Sequence, residues 1–532
     1  MSGPRSSVGT LPVPAAALAT AASGWALAQA FPPGGDASIA FVALVPFLLA
    51  ARLVASPRAA AALGALWMLV FAWGINDWFP PAVARYAASS WAVGFAFFLG
   101  VTLLSAAPST VLFSWFLHRV SRWKPVDAPV VATTAVPVVA AAAWSAGELL
   151  RAGLLGDPWG LVAWSQADST SLVQVASVAG ACGVGFVVAL ANAGLAEAVL
   201  LVATPAGERR ARIAGVAAAG FAVFAALAAG SARLDGLGRE PGGEPRAVVV
   251  VQGDIDFRDQ WRKEAHRENL QAYLSLTKAA LAPGPADLVV WPENAVTAYL
   301  ASEEGMRADI AGVIAPASAF LVAGAPRLAQ RKPDEFRNAV FLLGPDGGVR
   351  SWYDKQRLLP FAEYQPFGAL DAMARDFGEV REFSPGPEAG GILDAGAARV
   401  GAVVCNEALF AGPSARRVAD GANLLVALTN DSWVGEVKFS EQAFAAARLR
   451  AVEQGRWLVR ASTSGPSALV DPAGRIASRT RDDFATALRG TVRLRTERTV
   501  YSRVGDAFGW GCAAVVAAAL VLDARGRRRR RA

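Results

Sequence analysis

Ala397-Ala398-Arg399-Val400-Gly401-Ala402-Val403-Val404-Cys405-Asn406-Glu407-Ala408-Leu409-Phe410 reads as a buried strand that runs into a thiol and then a polar turn. Positions 400–404 form a continuous apolar run, the pattern of a strand covered on both faces in an α/β core. At the tip of such a strand, rigid structure aims a nucleophile, and the backbone N–H groups that follow can face an oxyanion. A lone cysteine is equally a small buried core residue, so the rest of the chain decides between the two.

The wider sequence is that of a membrane protein. Of its 532 residues, 54% are hydrophobic and only 18% charged. The apolar residues fill the first 233 positions and a stretch near the C-terminus, whereas 246–500 has globular composition. Runs near 12–31, 37–55, 59–79, 88–117, 128–149, 178–204, 213–233 and 507–523 have the length and apolarity to cross a bilayer. The predicted fold is a polytopic α-helical membrane domain of about eight spans, with an α/β domain inserted between spans seven and eight. Its segments are 1–233 for spans one to seven, 234–245 for a Gly/Pro-rich linker, 246–500 for the inserted domain, and 501–532 for the last span and a basic tail.

Charge sets the expected orientation. Arg52 and Arg58, then His118, Arg119, Arg122 and Lys124, then Arg209, Arg210 and Arg212, and last the arginine-rich end from Arg525 all fall on one side of this layout. The positive-inside rule makes that side cytoplasmic, so the inserted domain is expected to face the periplasm of a bacterial inner membrane. A basic run directly after a span is a topology and headgroup anchor, and no nucleic-acid partner is expected. Ala28-Gln29-Ala30 is similar to a signal-peptidase site. The adjacent Phe31-Pro32-Pro33 reads as an inter-helix turn, so the first span is expected to be retained. Cys182 and Cys512 lie in spans, which leaves Cys405 without a disulfide partner inside its own domain.

Within 246–500, strand-like runs at 247–252, 287–291, 320–324, 338–343, 349–353, 400–404, 423–428, 457–461 and 467–470 alternate with loops and with helical spacing at 259–281 and 439–454. The alternation predicts two packed sheets covered by helices. Three strands end in polar residues: Leu288-Val289-Val290-Trp291-Pro292-Glu293, Trp352-Tyr353-Asp354-Lys355 and Val403-Val404-Cys405. A thiol nucleophile needs a base. Of the two histidines, His118 lies on the other side of the membrane and His266 sits in a charged helical stretch, where a solvated position is expected. No His/Cys cluster has metal-ligand spacing, and neither a Gly-x-Ser-x-Gly elbow nor a phosphate-binding glycine loop occurs. Glutamate and lysine remain. A buried carboxylate with a raised pKa can take the thiol's proton, while an adjacent ammonium favours the thiolate and stabilises an oxyanion.

Glu293, Lys355 and Cys405, in that order, resemble the Glu-Lys-Cys triad of the nitrilase (carbon–nitrogen hydrolase) superfamily. The sequence is more closely similar to its membrane branch, the apolipoprotein N-acyltransferases. The residues that carry this include Val251-Gln252-Gly253-Asp254-Ile255, Trp261, Trp291-Pro292-Glu293-Asn294-Ala295, Pro360-Phe361-Ala362-Glu363 and Cys405-Asn406-Glu407. They continue with Thr429-Asn430-Asp431-Ser432-Trp433-Val434-Gly435 and Arg450-Ala451-Val452-Glu453-Gln454-Gly455-Arg456. In the first domain Trp144, Glu148, Arg151, Pro158-Trp159-Gly160, Ser165-Gln166 and Asn192-Ala193 belong to the same pattern.

The resemblance implies an αββα nitrilase-like domain and a ping-pong acyl transfer. An acyl chain would pass from a phospholipid to a Cys405 thioester, and then to the N-terminal amine of a diacylated apolipoprotein. Glu293 would be the base and Lys355 would hold the oxyanion. Glu363 and Glu407 would be supporting carboxylates, and Trp261, Asn406 and Trp433 substrate-binding residues. No cofactor or metal is implied, and a monomer is expected. The sequence departs from the pattern at Arg357 and Ala443, where His is usual, at Asn406 for Tyr, and at Ala362 for Gly. Two other functions remain open at this level: a membrane-tethered amidase using the same triad, and a transporter or sensor with an outward binding domain. Few charges lie inside the spans, which argues against transport.

Overall fold

The computed structural model describes residues 10–122, 129–204, 206–239, 242–329, 332–364 and 382–531. Lys124 and residues 240–241 of the linker lie outside them. The described chain divides into two compact units, Met1–Asp77 with Phe95–Asp235 and Val504–Ala532, and Trp78–Gly94 with Gly236–Arg503.

The first unit is helical. Each expected apolar run falls on helix over its described residues, and among the described residues five helices are long and apolar enough to cross a membrane: Pro57–Asn76, Trp91–Val120, Ala176–Ala203, Ala206–Gly238 and Ala507–Arg525. The apolar helices Val13–Ala28 and Ala37–Leu53 are shorter, and Pro129–Leu149 forms a further helix of 21 residues. Where the chain is not helical its backbone must still be satisfied, and the polar motifs singled out above do this. Glu148 Oε1 accepts from Val162 N (2.8 Å), and Arg151 donates to Trp159 O. Asn192 accepts from Leu44 N (2.9 Å) and donates to Ala40 O (2.8 Å), across 148 and 152 residues of sequence. Buried Glu197 takes two arginines, Arg52 and Arg212. These motif residues staple helices.

The second unit is built on two six-stranded sheets. Its strands are β1 (Glu244–Gln252), β2 (Leu288–Val290), β3 (Phe320–Ala329), β4 (Lys332–Leu343), β5 (Val349–Asp354), β6 (Ile392–Ala395), β7 (Ala398–Val404), β8 (Leu424–Thr429), β9 (Leu458–Ser462), β10 (Ala468–Val470), β11 (Ile476–Arg479) and β12 (Thr486–Leu494). The orders are β12-β1-β2-β3-β4-β5 and β11-β10-β9-β8-β7-β6, with β1, β2, β3 and β7, β8, β9 parallel. Side-chain alternation builds the layers. Val248 and Val250 face a core shared with Val400, Val404 and Val426, while Val249 and Val251 pack outward on Leu270, Tyr273 and Ile310 of the helices His266–Leu281 and Glu304–Ile314. On the far side Val403 and Ala427 meet Val418, Phe444 and Ala451 of the helices Ala411–Ala419 and Val437–Gln454. The domain is therefore a helix–sheet–sheet–helix sandwich.

Two sequence expectations need correction. The helix expected over 259–281 is a short turn, Phe257–Gln260, followed by a helix that starts at His266. Gln260 is buried and its carbonyl accepts from Thr297 Oγ1 (2.8 Å), so the chain turns inward there instead of propagating the helix. His266 is half-buried at the start of that helix rather than solvated.

The close approach of β3 to the turn that carries Glu293 fixes one glycine. A Cβ on Gly324 would lie 2.5 Å from Asn294 N and 2.6 Å from Glu293 Cα, both backbone atoms. Gly324→Ala is expected to destabilise the full-length protein by about 2 kcal/mol, the scale of overpacking. Gly412→Ala, where nothing lies within 4 Å, should be neutral. Denaturation followed by a signal confined to the sheet domain, such as exchange of β2 and β3 amides, checks the pair.

Candidate active site

Three strand ends converge. β2 runs into the turn that bears Glu293, β5 ends one residue before Lys355, and β7 ends at Val404. Cys405 follows with φ = 50°, a left-handed conformation that a non-glycine residue adopts at a cost of about 1–2 kcal/mol. It opens the short turn Cys405–Leu409 and is half-buried.

Lys355, 1% exposed, is the hub. Its Nζ lies 3.2 Å from Glu293 Oε1 and 2.8 Å from Glu363 Oε2. Asn338 Nδ2, from β4, donates to Glu293 Oε1 and to Glu363 Oε1, both at 2.8 Å, while Asn338 O accepts from Lys355 N (2.8 Å). Glu293 Oε2 accepts from Asn430 N (3.0 Å) at the end of β8. Glu363 Oε2 also accepts from Leu359 N (2.7 Å). Two carboxylates, one ammonium and one amide thus form a buried, closed network.

The protonation states follow from this burial. Burial pushes the Glu293 carboxyl above its usual range; Lys355 pulls it down and Glu363 pushes it up. Burial opposes the charge on Lys355, yet Glu293 and Glu363 together hold its ammonium well above the ordinary lysine range. The Cys405 thiol is pushed far up, first by burial and then by Glu293, against the opposing pull of Lys355. Lys355 does favour the thiolate, in the direction expected, but it is outweighed. The resting group is a thiol, because burial and the carboxylates outweigh the single cation, and its proton needs an acceptor.

Glu407 has another task. Fully buried, its Oε1 accepts from Tyr353 Oη (2.7 Å), Gln356 N (2.9 Å) and Arg357 N (3.1 Å), and its Oε2 from Val404 N (2.9 Å). It ties the residues flanking Lys355 to the residue before Cys405. Asn406 is buried in the same turn, and its Oδ1 has no hydrogen-bond partner among the described residues.

Trp261 and Trp433 sit elsewhere, in an aromatic wall. Trp261 packs on Phe383 (6.4 Å between ring centroids), Tyr86 on Phe257 (5.9 Å), and Tyr86 edge-on to Trp433 (5.7 Å). Leu358, Phe336 and Tyr364 complete it. The wall is tied to the polar network, because Phe383 N donates to Glu363 O (2.9 Å) and Tyr86 Oη to Ala362 O (2.9 Å). Tyr86 belongs to the helix Phe79–Tyr86, which the sequence reading left between two spans and which packs in the sheet unit. Sequence reasoning also missed Asn338. A polar residue at the closed end of an apolar strand was the available signal.

Comparison with known proteins places both parts of the chain in known families. The carbon-nitrogen hydrolase family matches residues 247–500, and the apolipoprotein N-acyltransferase N-terminal domain matches residues 23–194. The sheet unit is thus a carbon–nitrogen hydrolase domain, coupled in one chain to a helical region of a second, named kind. The apolipoprotein N-acyltransferase of Geobacter metallireducens is 33% identical over 507 residues, 93% of either chain. That of Gloeobacter violaceus is 32% identical over 521 residues, 93% of this chain and 91% of that one. Among solved structures, Saccharomyces cerevisiae Nit3 of the nitrilase superfamily is similar at 19% identity over 47% of this chain and 90% of that chain, with a TM-score of 0.37. The chain belongs to the apolipoprotein N-acyltransferase family.

Removing the Glu407 carboxylate would leave four donors without their acceptor, two of them, Tyr353 Oη and Val404 N, fully buried. Glu407→Ala is expected to cost about 3 kcal/mol or more, whereas Tyr353→Phe, which removes one donor, should cost about 1 kcal/mol. Denaturant unfolding of the two variants in the same detergent checks the ratio.

Proposed function

We propose that this enzyme transfers an acyl chain from a phospholipid, through a thioester on Cys405, to the α-amino group of an apolipoprotein's N-terminal diacylglyceryl-cysteine. The observation that carries the reading is the closed Glu293–Lys355–Glu363 network acting on a protonated, half-buried thiol. Glu293, whose raised pKa suits a proton shuttle, takes the thiol proton as sulfur attacks the ester carbonyl. Lys355 stabilises the oxyanion that forms. Collapse breaks the ester C–O bond, and Glu293 returns the proton to the departing lysophospholipid. The lipoprotein amine then attacks the thioester, Glu293 accepts the amine's proton, and Cys405 leaves and is reprotonated.

Glu363 fixes the lysine, and Glu407 fixes the two backbone segments on which lysine and thiol stand. The aromatic wall of Trp261, Tyr86 and Trp433 supplies apolar surface for acyl chains, and Asn406 offers a polar group beside the nucleophile. Because both substrates are anchored in lipid, the eight apolar runs are read as spans of a bacterial inner membrane, with the sheet domain on the periplasmic side.

With phospholipid as sole substrate, intact-mass measurement of the purified protein should show one added acyl chain, absent from Cys405→Ala. Addition of a diacylated lipopeptide should discharge it onto the peptide amine. Free fatty acid with no acylated peptide would instead identify a hydrolase.

A further inference from the structure

Two arginines stand exposed beside the nucleophile turn. Arg357 follows Lys355 by two residues, and its backbone N–H is held by Glu407. Its guanidinium lies over the Phe410 ring, with Cζ 3.6 Å from the centroid, and Phe410 directly follows the Cys405–Leu409 turn. Arg416 projects from the helix Ala411–Ala419, which starts at the next residue. The two cations are close enough to repel, and that repulsion adds to burial in lowering the pKa of Arg357.

Among the described residues neither arginine has a carboxylate within ion-pair distance. Glu407, the acid whose charge reaches Arg357, is buried and already accepts from Tyr353 and three backbone N–H groups. Arg417, the next residue along, is different: it is buried and donates to Ala402 O (3.0 Å) and Gly390 O (2.8 Å). Stacking on Phe410 fixes the plane of the Arg357 guanidinium while leaving its edge open. An oriented guanidinium edge matches a phosphodiester, and a second cation beside it penalises any ligand that carries its own positive charge.

We propose that Arg357 and Arg416 bind the headgroup of the acyl donor and make the enzyme prefer an anionic phospholipid over a zwitterionic one. This rests on the phospholipid-donor reading above. The phosphodiester of a glycerophospholipid is only a few bonds from the ester that Cys405 would attack, which suits a site two residues from Lys355 and adjoining the nucleophile turn. An ethanolamine or choline head would bring a cation into the field of two guanidinium groups, whereas a glycerol head would not.

The test is internal competition. The full-length enzyme, in micelles of a non-ionic detergent, receives equal amounts of phosphatidylglycerol and phosphatidylethanolamine that carry acyl chains of different mass. Intact mass then reports which donor acylated Cys405. The wild type should favour phosphatidylglycerol by about tenfold, the scale of one charge-assisted contact. The preference should shrink with added salt and collapse towards one in Arg357→Gln combined with Arg416→Gln. Discharge of a preformed thioester onto lipopeptide should be unaffected by the substitutions. An unbiased wild type, or an unchanged ratio in the double variant, overturns the proposal. Inorganic phosphate at matched ionic strength should leave the ratio unchanged; if it erases the bias, the pair takes a free anion and the headgroup assignment falls. Failure of the wild type to acylate from either lipid would instead overturn the phospholipid-donor reading itself.

Discussion

A lysine that is 1% exposed cannot remain charged unless its surroundings supply compensating charge. Lys355 meets that demand with two carboxylates, and the rest of the sheet domain is arranged to keep them there. Asn338 bridges the pair from β4, Asn430 holds Glu293 from the end of β8, and Leu359 N holds Glu363. The net negative charge of this trio also explains the resting state of Cys405. One cation against two anions, in a dry site, leaves sulfur protonated. Reactivity then depends on handing that proton to Glu293 at the moment of attack, which lets the thiol rest without standing ionised in the periplasmic space proposed for it.

Much of this was legible in the sequence because the chemistry sits at strand ends. The Leu-Val-Val of β2, the Val-Val of β7 and the Leu-Leu-Val-Ala-Leu of β8 are continuous apolar runs, and each is followed within three residues by a residue of the site: Glu293, Cys405 and Asn430. The sandwich was legible for the same reason: of the two parallel trios, β2, β8 and β9 lie within one residue of their expected bounds at either end, β7 starts two residues early and β1 three, and only β3 runs on, five residues past its expected end. Helical spacing also located Val437–Gln454 within two residues.

What stayed hidden depends on contacts distant in sequence. β12 is half-buried or exposed over most of its length and buries only Val492 and Leu494, and its pairing with β1, Glu244 against Leu494, spans most of the domain. β6 and β11 are four-residue edge strands with too few side chains to show a period. Asn338 reads as an ordinary polar strand residue until β5 brings Lys355 against it. Tyr86 sits in a stretch between two apolar runs, where nothing local signals that its hydroxyl reaches Ala362, 276 residues away. The break at Gln260 is of the same kind, since its side chain is fixed by Asn294 O (2.6 Å) and Asn430 (2.6 Å) from other loops.

The account stands on Glu293 being the group that ionises Cys405. The most direct measurement is the rate at which iodoacetamide alkylates Cys405 as a function of pH, in the wild type and in Glu293→Gln. Because the folded carboxyl of Glu293 is raised above its ordinary value, the wild-type rate should rise with pH through that elevated carboxyl titration and already be appreciable at neutral pH. Glu293→Gln relieves one of the charges that hold the thiol but removes its base, and because burial and Glu363 still keep the sulfur protonated, its alkylation should stay slow until the pH reaches the ordinary thiol range or beyond. A variant that alkylates at neutral pH as fast as the wild type, or faster, would mean that Lys355 alone yields a thiolate, and would contradict the mechanism.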